Sequence, residues 1–258
     1  RCETTLAVSE VSMGYKDITD ISVIVKFELV GEPETYLLSW TTTPWTLPGN
    51  VALAVNKDFD YVKIGIMNHE LGIMNFYIVA KERLSLIKDK YEVVGEFKGD
   101  ELIGKKYKPL FNYYSGSSDL KNREDGWKIY AAQFVNAEDG TGVVHVAPAF
   151  GEDDMELGVK YKLPFVQHVL VDGTFASEVL DFKGLAVKPK HNPQATDIEI
   201  IKHLSHNKQL FGKEKITHSY PFCWRCDTPL LNYAASSWFV KVTALKRKLL
   251  DVNKKVKW

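Results

Sequence analysis

Between residues 21 and 29 the chain alternates. Ile21, Val23, Val25, Phe27 and Leu29 are apolar, and Ser22, Lys26 and Glu28 stand between them, the period of two that predicts a half-buried strand. Further runs at 36–40, 51–55, 61–67, 76–80, 91–97, 127–134 and 142–147 are short, rich in Val, Ile and aromatic residues, and bounded by Gly, Asn or Asp. They predict strands joined by turns. Helical spacing is confined to 81–87, 153–161, 196–204 and 243–252. This pattern predicts an α+β fold, with a β-barrel-like, closed or nearly closed sheet and peripheral helices. Residues 98–124 combine Gly, Ser, Asn and Lys with weak periodicity and predict a surface excursion. There is no internal repeat and no low-complexity tract.

Composition narrows the class. With 258 residues, 45% of them hydrophobic, the chain can build one large core, or one core with a satellite. Its 33 basic and 33 acidic residues cancel; a module that held nucleic acid by itself would be clearly basic, so any RNA contact is expected to be local and assisted by other domains. No apolar run is long enough to span a membrane. Residues 1–9 lack the hydrophobic segment of a signal peptide, and three cysteines give no paired disulfide framework, so a cytoplasmic, reducing environment is expected.

Candidate chemistry concentrates in two places. Residues 40–50, WTTTPWTLPGN, set three successive threonine hydroxyls between prolines that limit the backbone, and end in a Gly-Asn turn; the segment reads either as a loop able to hold a small polar ligand or as a Thr-rich strand end before a tight turn. Residues 140–158, GTGVVHVAPAFGEDDMELG, carry His145 on a strand-like run and deliver Glu152, Asp153 and Asp154 to the start of a helix. His145 reads as a buried imidazole satisfied by a backbone carbonyl or as a site residue. The acids serve the helix N-terminus or a ligand.

Together with HSYPFCWRCDTPL at 218–230, these segments resemble the editing insertion of the isoleucyl-, valyl- and leucyl-tRNA synthetases, the isoleucyl enzymes most of all, over nearly the whole chain. The signatures by which that class activates amino acids, of the His-Ile-Gly-His and Lys-Met-Ser-Lys-Ser type, are absent from the 258 residues. The expectation is therefore an excised domain that makes no adenylate: a connecting segment at 1–20, an editing core at 21–217, and a returning segment with a C-terminal helix at 218–258.

The resemblance implies an aminoacyl-tRNA deacylase that cleaves Val-tRNA(Ile), with valyl-adenylate as a further candidate substrate, by attack of water on the aminoacyl ester, with no cofactor. Its partners would be the 3′ acceptor end of tRNA(Ile) carrying valine and the synthetic domain of the same enzyme; the unit is expected to be monomeric, with no membrane contact. Asp154 would bind the α-ammonium, Thr42 and Thr43 would face the reacting carbonyl and ribose, and His145 would lie against the side chain. Thr41, Trp45, Thr46 and Asn50 would complete the pocket, with Trp40 and Tyr220 as further substrate contacts. The isoleucyl enzymes are the standard illustration of why such a site is needed: one methylene is worth only ~1–3 kcal/mol in an apolar pocket, so a second sieve must remove the smaller product.

Other readings stay open. No sequence feature places a base beside Cys2, Cys223 or Cys226 for nucleophilic catalysis, and a Thr nucleophile also needs an adjacent base or amine. Cys223-x-x-Cys226 fits half a zinc knuckle, but a structural site takes four ligands and only Cys2 remains, at the far end of the chain; family members that bind zinc here use two such pairs. A valyl- or leucyl-type editing domain is the near alternative. The distant one is a noncatalytic module for the tRNA acceptor end, using Lys241, Lys246, Arg247, Lys248, Lys254 and Lys255, although such a charge run also reads as a solvated face.

Overall fold

The computed structural model describes residues 4–69 and 72–257. After a short helix α1 (Val8–Val11), strand β1 (Tyr15–Glu28) pairs antiparallel with β2 (Thr35–Thr41) on one side and β9 (Leu210–Pro221) on the other. Strands β4 (Asp60–Asn68), β5 (Ile73–Ala80) and β6 (Glu92–Lys98) extend the sheet to the order β6-β4-β5-β2-β1-β9, with β2 and β5 parallel. A second sheet has β3 (Ala52–Val55) between β7 (Lys128–Ala131) and β8 (Val143–Val146). Helices α2 (Glu152–Tyr161), α3 (Ala195–His206) and α4 (Val242–Asn253) complete the elements.

The alternation of the sequence becomes two cores. Val23, Val25, Phe27, Leu37, Ile78 and Ala80 face the larger core, while Leu38, Val62, Ile64, Tyr77 and Val79 face a smaller one on the opposite side of the six-stranded sheet, because successive side chains of a strand point to opposite faces. All four residues of β3 are buried, so that strand reads as an unbroken apolar run. The sheets meet where β2 approaches β8. There Ser39 Oγ donates to Val143 O at 2.9 Å and Thr141 Oγ1 to Leu38 O at 2.6 Å.

The α+β class stands, but the expected closure does not: among the described residues the strands form two open sheets, six- and three-stranded, not one barrel. The 98–124 excursion is not confined to the surface either. It sends Leu102, Tyr107, Leu110 and Phe111 into the core at irregular spacings that carry no periodic signal. The helix expected at 81–87 is a 3-10 turn, Lys81–Leu86. Strand β9 had no sequence signature because most of its side chains are exposed or half-buried; the same holds for residues 15–19 of β1, which pair with 217–221. From residue 235 onward every described side chain is exposed, α4 included.

Candidate functional site

The threonine segment is where β2 ends. Thr41 Oγ1 accepts from the Thr43 amide at 3.1 Å and lies 3.3 Å from Thr43 Oγ1, which lies 3.3 Å from Thr46 Oγ1. Pro44 then opens a 3-10 turn, Pro44–Gly49, where a missing amide and a fixed φ suit a first helical position. Beneath the turn the packing is dense: Trp45 is buried edge-on against Phe150, its amide donates to Asp197 Oδ1 at 3.2 Å, and its carbonyl accepts from His168 Nε2 at 2.9 Å. Gly49 is required there, since a Cβ would stand 2.2 Å from His168 Nδ1. Asn50 donates to Ala52 O and accepts from the Tyr107 hydroxyl, at 2.9 and 2.7 Å.

His145 projects from β8, opposite Leu53 of β3, and is buried. Its Nε2 lies 2.9 Å from Thr46 Oγ1, while that hydroxyl donates to Thr43 O at 2.8 Å. A hydroxyl carries one proton, so Nε2 is assigned as the donor to Thr46, and Nδ1 is a bare acceptor with no partner among the described residues. Burial, with His168 nearby, pushes the imidazole down to about 4. His145 is thus neutral near pH 7 and a weak base.

Past β8 the chain turns at 147–151 into α2. Glu152 and Asp153 are exposed in its first turn, where their charge favours the helix dipole. Asp154 points back instead. Its Oδ2 accepts from the Ala147 amide at 2.9 Å, and its carboxyl is raised to about 6 by burial, with a smaller push from Asp153 and an opposing pull from the Ala147 amide.

These elements enclose a cleft of about 280 Å³ lined by Trp40, Thr41, Thr42, His145 and Asp154 among others. Thr43 and Thr46 stand behind it, joined through the hydroxyl chain. Trp45 and Asn50 do not line it; they are core groups under the turn. Tyr220 lies elsewhere, donating to Leu230 O at 2.7 Å and lining a separate cavity of about 200 Å³ with Asp20, Lys188 and Gln194. The far wall is Phe134, Asn136, Asp139, Gly140 and Gly142; its first three residues were not singled out from sequence. Its signal was the Asn-x-x-Asp-Gly turn composition: Asn136 Oδ1 accepts from the Glu138 and Asp139 amides, both at 3.2 Å, and Arg83 holds the loop through Glu138 O and Gly140 O, both at 2.7 Å.

The cysteine motif forms a turn in which the Asp227 amide donates to Cys223 O and Cys226 Sγ lies 3.1 Å from Thr228 Oγ1. Cys2 lies outside the described residues. Among those residues no three potential metal ligands cluster, and no helix is long and apolar enough to cross a membrane.

No protein-family model matches the chain. Among curated sequences it is 47% identical over 258 residues to the isoleucine–tRNA ligase of Clostridium acetobutylicum and 43% identical over 258 residues to that of Bacillus thuringiensis, in each case aligning 100% of this chain with 23% of the relative. The chain thus spans about a quarter of the length of the curated relatives it matches. A solved GlLeuRS-CP1 structure superposes on 91% of this chain and 96% of its own, with TM-score 0.46 at 15% identity. The Plasmodium falciparum cytosolic leucyl-tRNA synthetase editing domain covers 55% of this chain and 67% of its own, with TM-score 0.40 at 15% identity. Superpositions this loose support no residue-by-residue correspondence.

Proposed function

We propose, from the premise that this chain is homologous over its whole length to one segment of the isoleucine–tRNA ligases, that it is an editing hydrolase which removes valine from Val-tRNA(Ile). The observation that carries this reading is that a half-buried carboxylate, Asp154, and a run of threonine hydroxyls open onto one cleft whose side is a neutral, immobilised imidazole.

An aminoacyl ester presents a free α-ammonium two bonds from its carbonyl. Asp154 is suited to the ammonium: a carboxyl held near 6 in the free cleft is further ionised by an adjacent positive charge. The ester carbonyl and terminal ribose would then face Thr42 and the Thr41–Thr43 hydroxyls, which can orient a water and stabilise the oxyanion as it forms. Water adds to the carbonyl carbon, the intermediate collapses by breaking the bond to the ribose oxygen, and that oxygen takes up a proton; valine and free tRNA result. Valyl-adenylate has the same ammonium and an activated carbonyl, and fits the same chemistry. His145 is ill suited to be the base that activates this water, because burial holds it near 4 and its Nε2–H is engaged with Thr46. It suits a rigid wall that limits side-chain size.

The test is deacylation of Val-tRNA(Ile), Ile-tRNA(Ile) and Thr-tRNA(Val) by the folded chain at high concentration. Release of valine well above the spontaneous rate, with Ile-tRNA(Ile) spared, is expected. Binding of acceptor-end RNA with every ester left at its spontaneous rate would replace the hydrolase with a binding module, and preference for Thr-tRNA(Val) would reassign it to the valyl type.

A further inference from the structure

The threonine segment runs from the end of β2 into the 3-10 turn Pro44–Gly49, and one residue of that turn is held at both its amide and its carbonyl by side chains remote in sequence. The Trp45 amide donates to Asp197 Oδ1 at 3.2 Å, from the first turn of α3, and the Trp45 carbonyl accepts from His168 Nε2 at 2.9 Å. Asp197 is itself held, since Lys188 Nζ lies 2.7 Å from its Oδ2, with the two side chains 6% and 5% exposed. Trp45 N is a donor at the start of a 3-10 turn, one of the amides such a turn leaves without a partner of its own. Thr46, the next residue, carries the hydroxyl that joins Thr43 to His145. Any shift of the Trp45 backbone therefore moves the threonine chain and its contact with the imidazole together.

A charge pair this well buried is a poor source of stability, because an apolar pair of similar size would serve as well or better. An acid that already has its cation and also accepts a loop amide has a second use. We infer that Asp197, held and oriented by Lys188, is a positioning residue for the hydrolysis: it sets the Trp45 backbone and through it the Thr41–Thr46 hydroxyls, without touching substrate. The inference rests on the proposed deacylation and adds a residue some forty positions beyond the cleft motifs.

Two double substitutions separate the positioning bond from the charge pair. Lys188→Met with Asp197→Asn removes both charges but keeps an oxygen for the Trp45 amide; Lys188→Met with Asp197→Leu removes the charges and the acceptor. Both are measured in the full chain for thermal stability, hydrogen exchange of the Trp45 amide, and kcat and KM on Val-tRNA(Ile). The expected result is that the Asn variant keeps kcat within about threefold of the parent, while the Leu variant loses about ten- to a hundredfold in kcat, the size of loss that a misplaced reacting group produces, with KM changed by less than about threefold. The Trp45 amide should exchange faster only in the Leu variant. Equal kcat in the parent and the folded Leu variant would overturn the inference. So would equal losses in both variants, which would assign the effect to the charge pair. If the parent itself has no activity, the hydrolase reading fails, and the exchange of Trp45 alone still decides whether Asp197 orders the loop.

Discussion

Asp154 accepts one backbone hydrogen bond and is otherwise desolvated, which lifts its carboxyl from 3.8 to about 6. An acid whose pKa is higher in the folded state binds its proton more tightly there, so folding stability falls as pH rises from about 3.8 through 6 and the loss is fully present at pH 7. Asp154→Asn keeps an oxygen for Ala147 N and removes that burden. At pH 7 it should stabilise the fold by about 1–2 kcal/mol, a gain that thermal unfolding would show disappearing near pH 4. The same substitution should lower deacylation by about one to two decades, since a hydrogen bond to a charged group is worth ~1.5–3 kcal/mol. A destabilised but active Asn variant would contradict both halves. His145→Ala tests the neighbouring wall. Loss of the ring should let Ile-tRNA(Ile) be cleaved measurably faster than by the parent, with Val-tRNA(Ile) cleavage reduced less than in Asp154→Asn. Were His145 a general base, both esters would slow by ~10²–10⁴-fold.

The turn before β8 holds the two sheets in register. Gly142 has φ +76, a Cβ there would stand 2.4 Å from Ala80 Cβ, and its carbonyl accepts from the Tyr61 hydroxyl at 2.6 Å. Gly142→Ala therefore meets both a disfavoured backbone and a close approach, and should destabilise by about 2–4 kcal/mol, read as a lowered denaturation midpoint. Gly31, also at positive φ but with no atom within 4 Å of a Cβ, is the control: Gly31→Ala should lose only about 1 kcal/mol. Equal effects at the two positions would mean that backbone strain alone matters and that the junction of β2, β5 and β8 is looser than its contacts indicate.

The molecule buries two imidazoles that do not charge readily, His145 and His168, both held near 4 by burial. A histidine whose folded pKa is depressed opposes protonation of the native state, so stability rises with pH from about 4 to 6.5 and is fully present above that range. Asp154 works in the opposite direction over much of the same interval. Unfolding near pH 5.5 should then take up about one net proton from these three groups, two from the histidines less about one released by the acid. Denaturant titrations at pH 7, 6 and 5 should show falling stability, and His145→Gln with His168→Gln should flatten or invert the trend. A parent profile already flat over that range would mean that the two rings are not desolvated as their packing implies.

What the sequence alone decided is what short-range regularity encodes. Alternation identified β1, and short apolar runs rich in Val, Ile and aromatic residues identified strands such as β5; helical spacing located α2 and α3; and two of the three motifs pointed to the cleft through Thr41, Thr42, His145 and Asp154. Tertiary structure decided the remainder, because it depends on which remote groups meet. Strand β9 exists through its partner β1 rather than through its own pattern. The loop at 136–142 becomes a wall only when Arg83 fastens it. Trp45 and Asn50, neighbours of the site in sequence, point into the core because the 3-10 turn rotates them under the loop. Asp197 and His168 reach the threonine segment across 152 and 123 residues, and no local period can announce a hydrogen bond whose two ends are brought together only by the packing of everything between them.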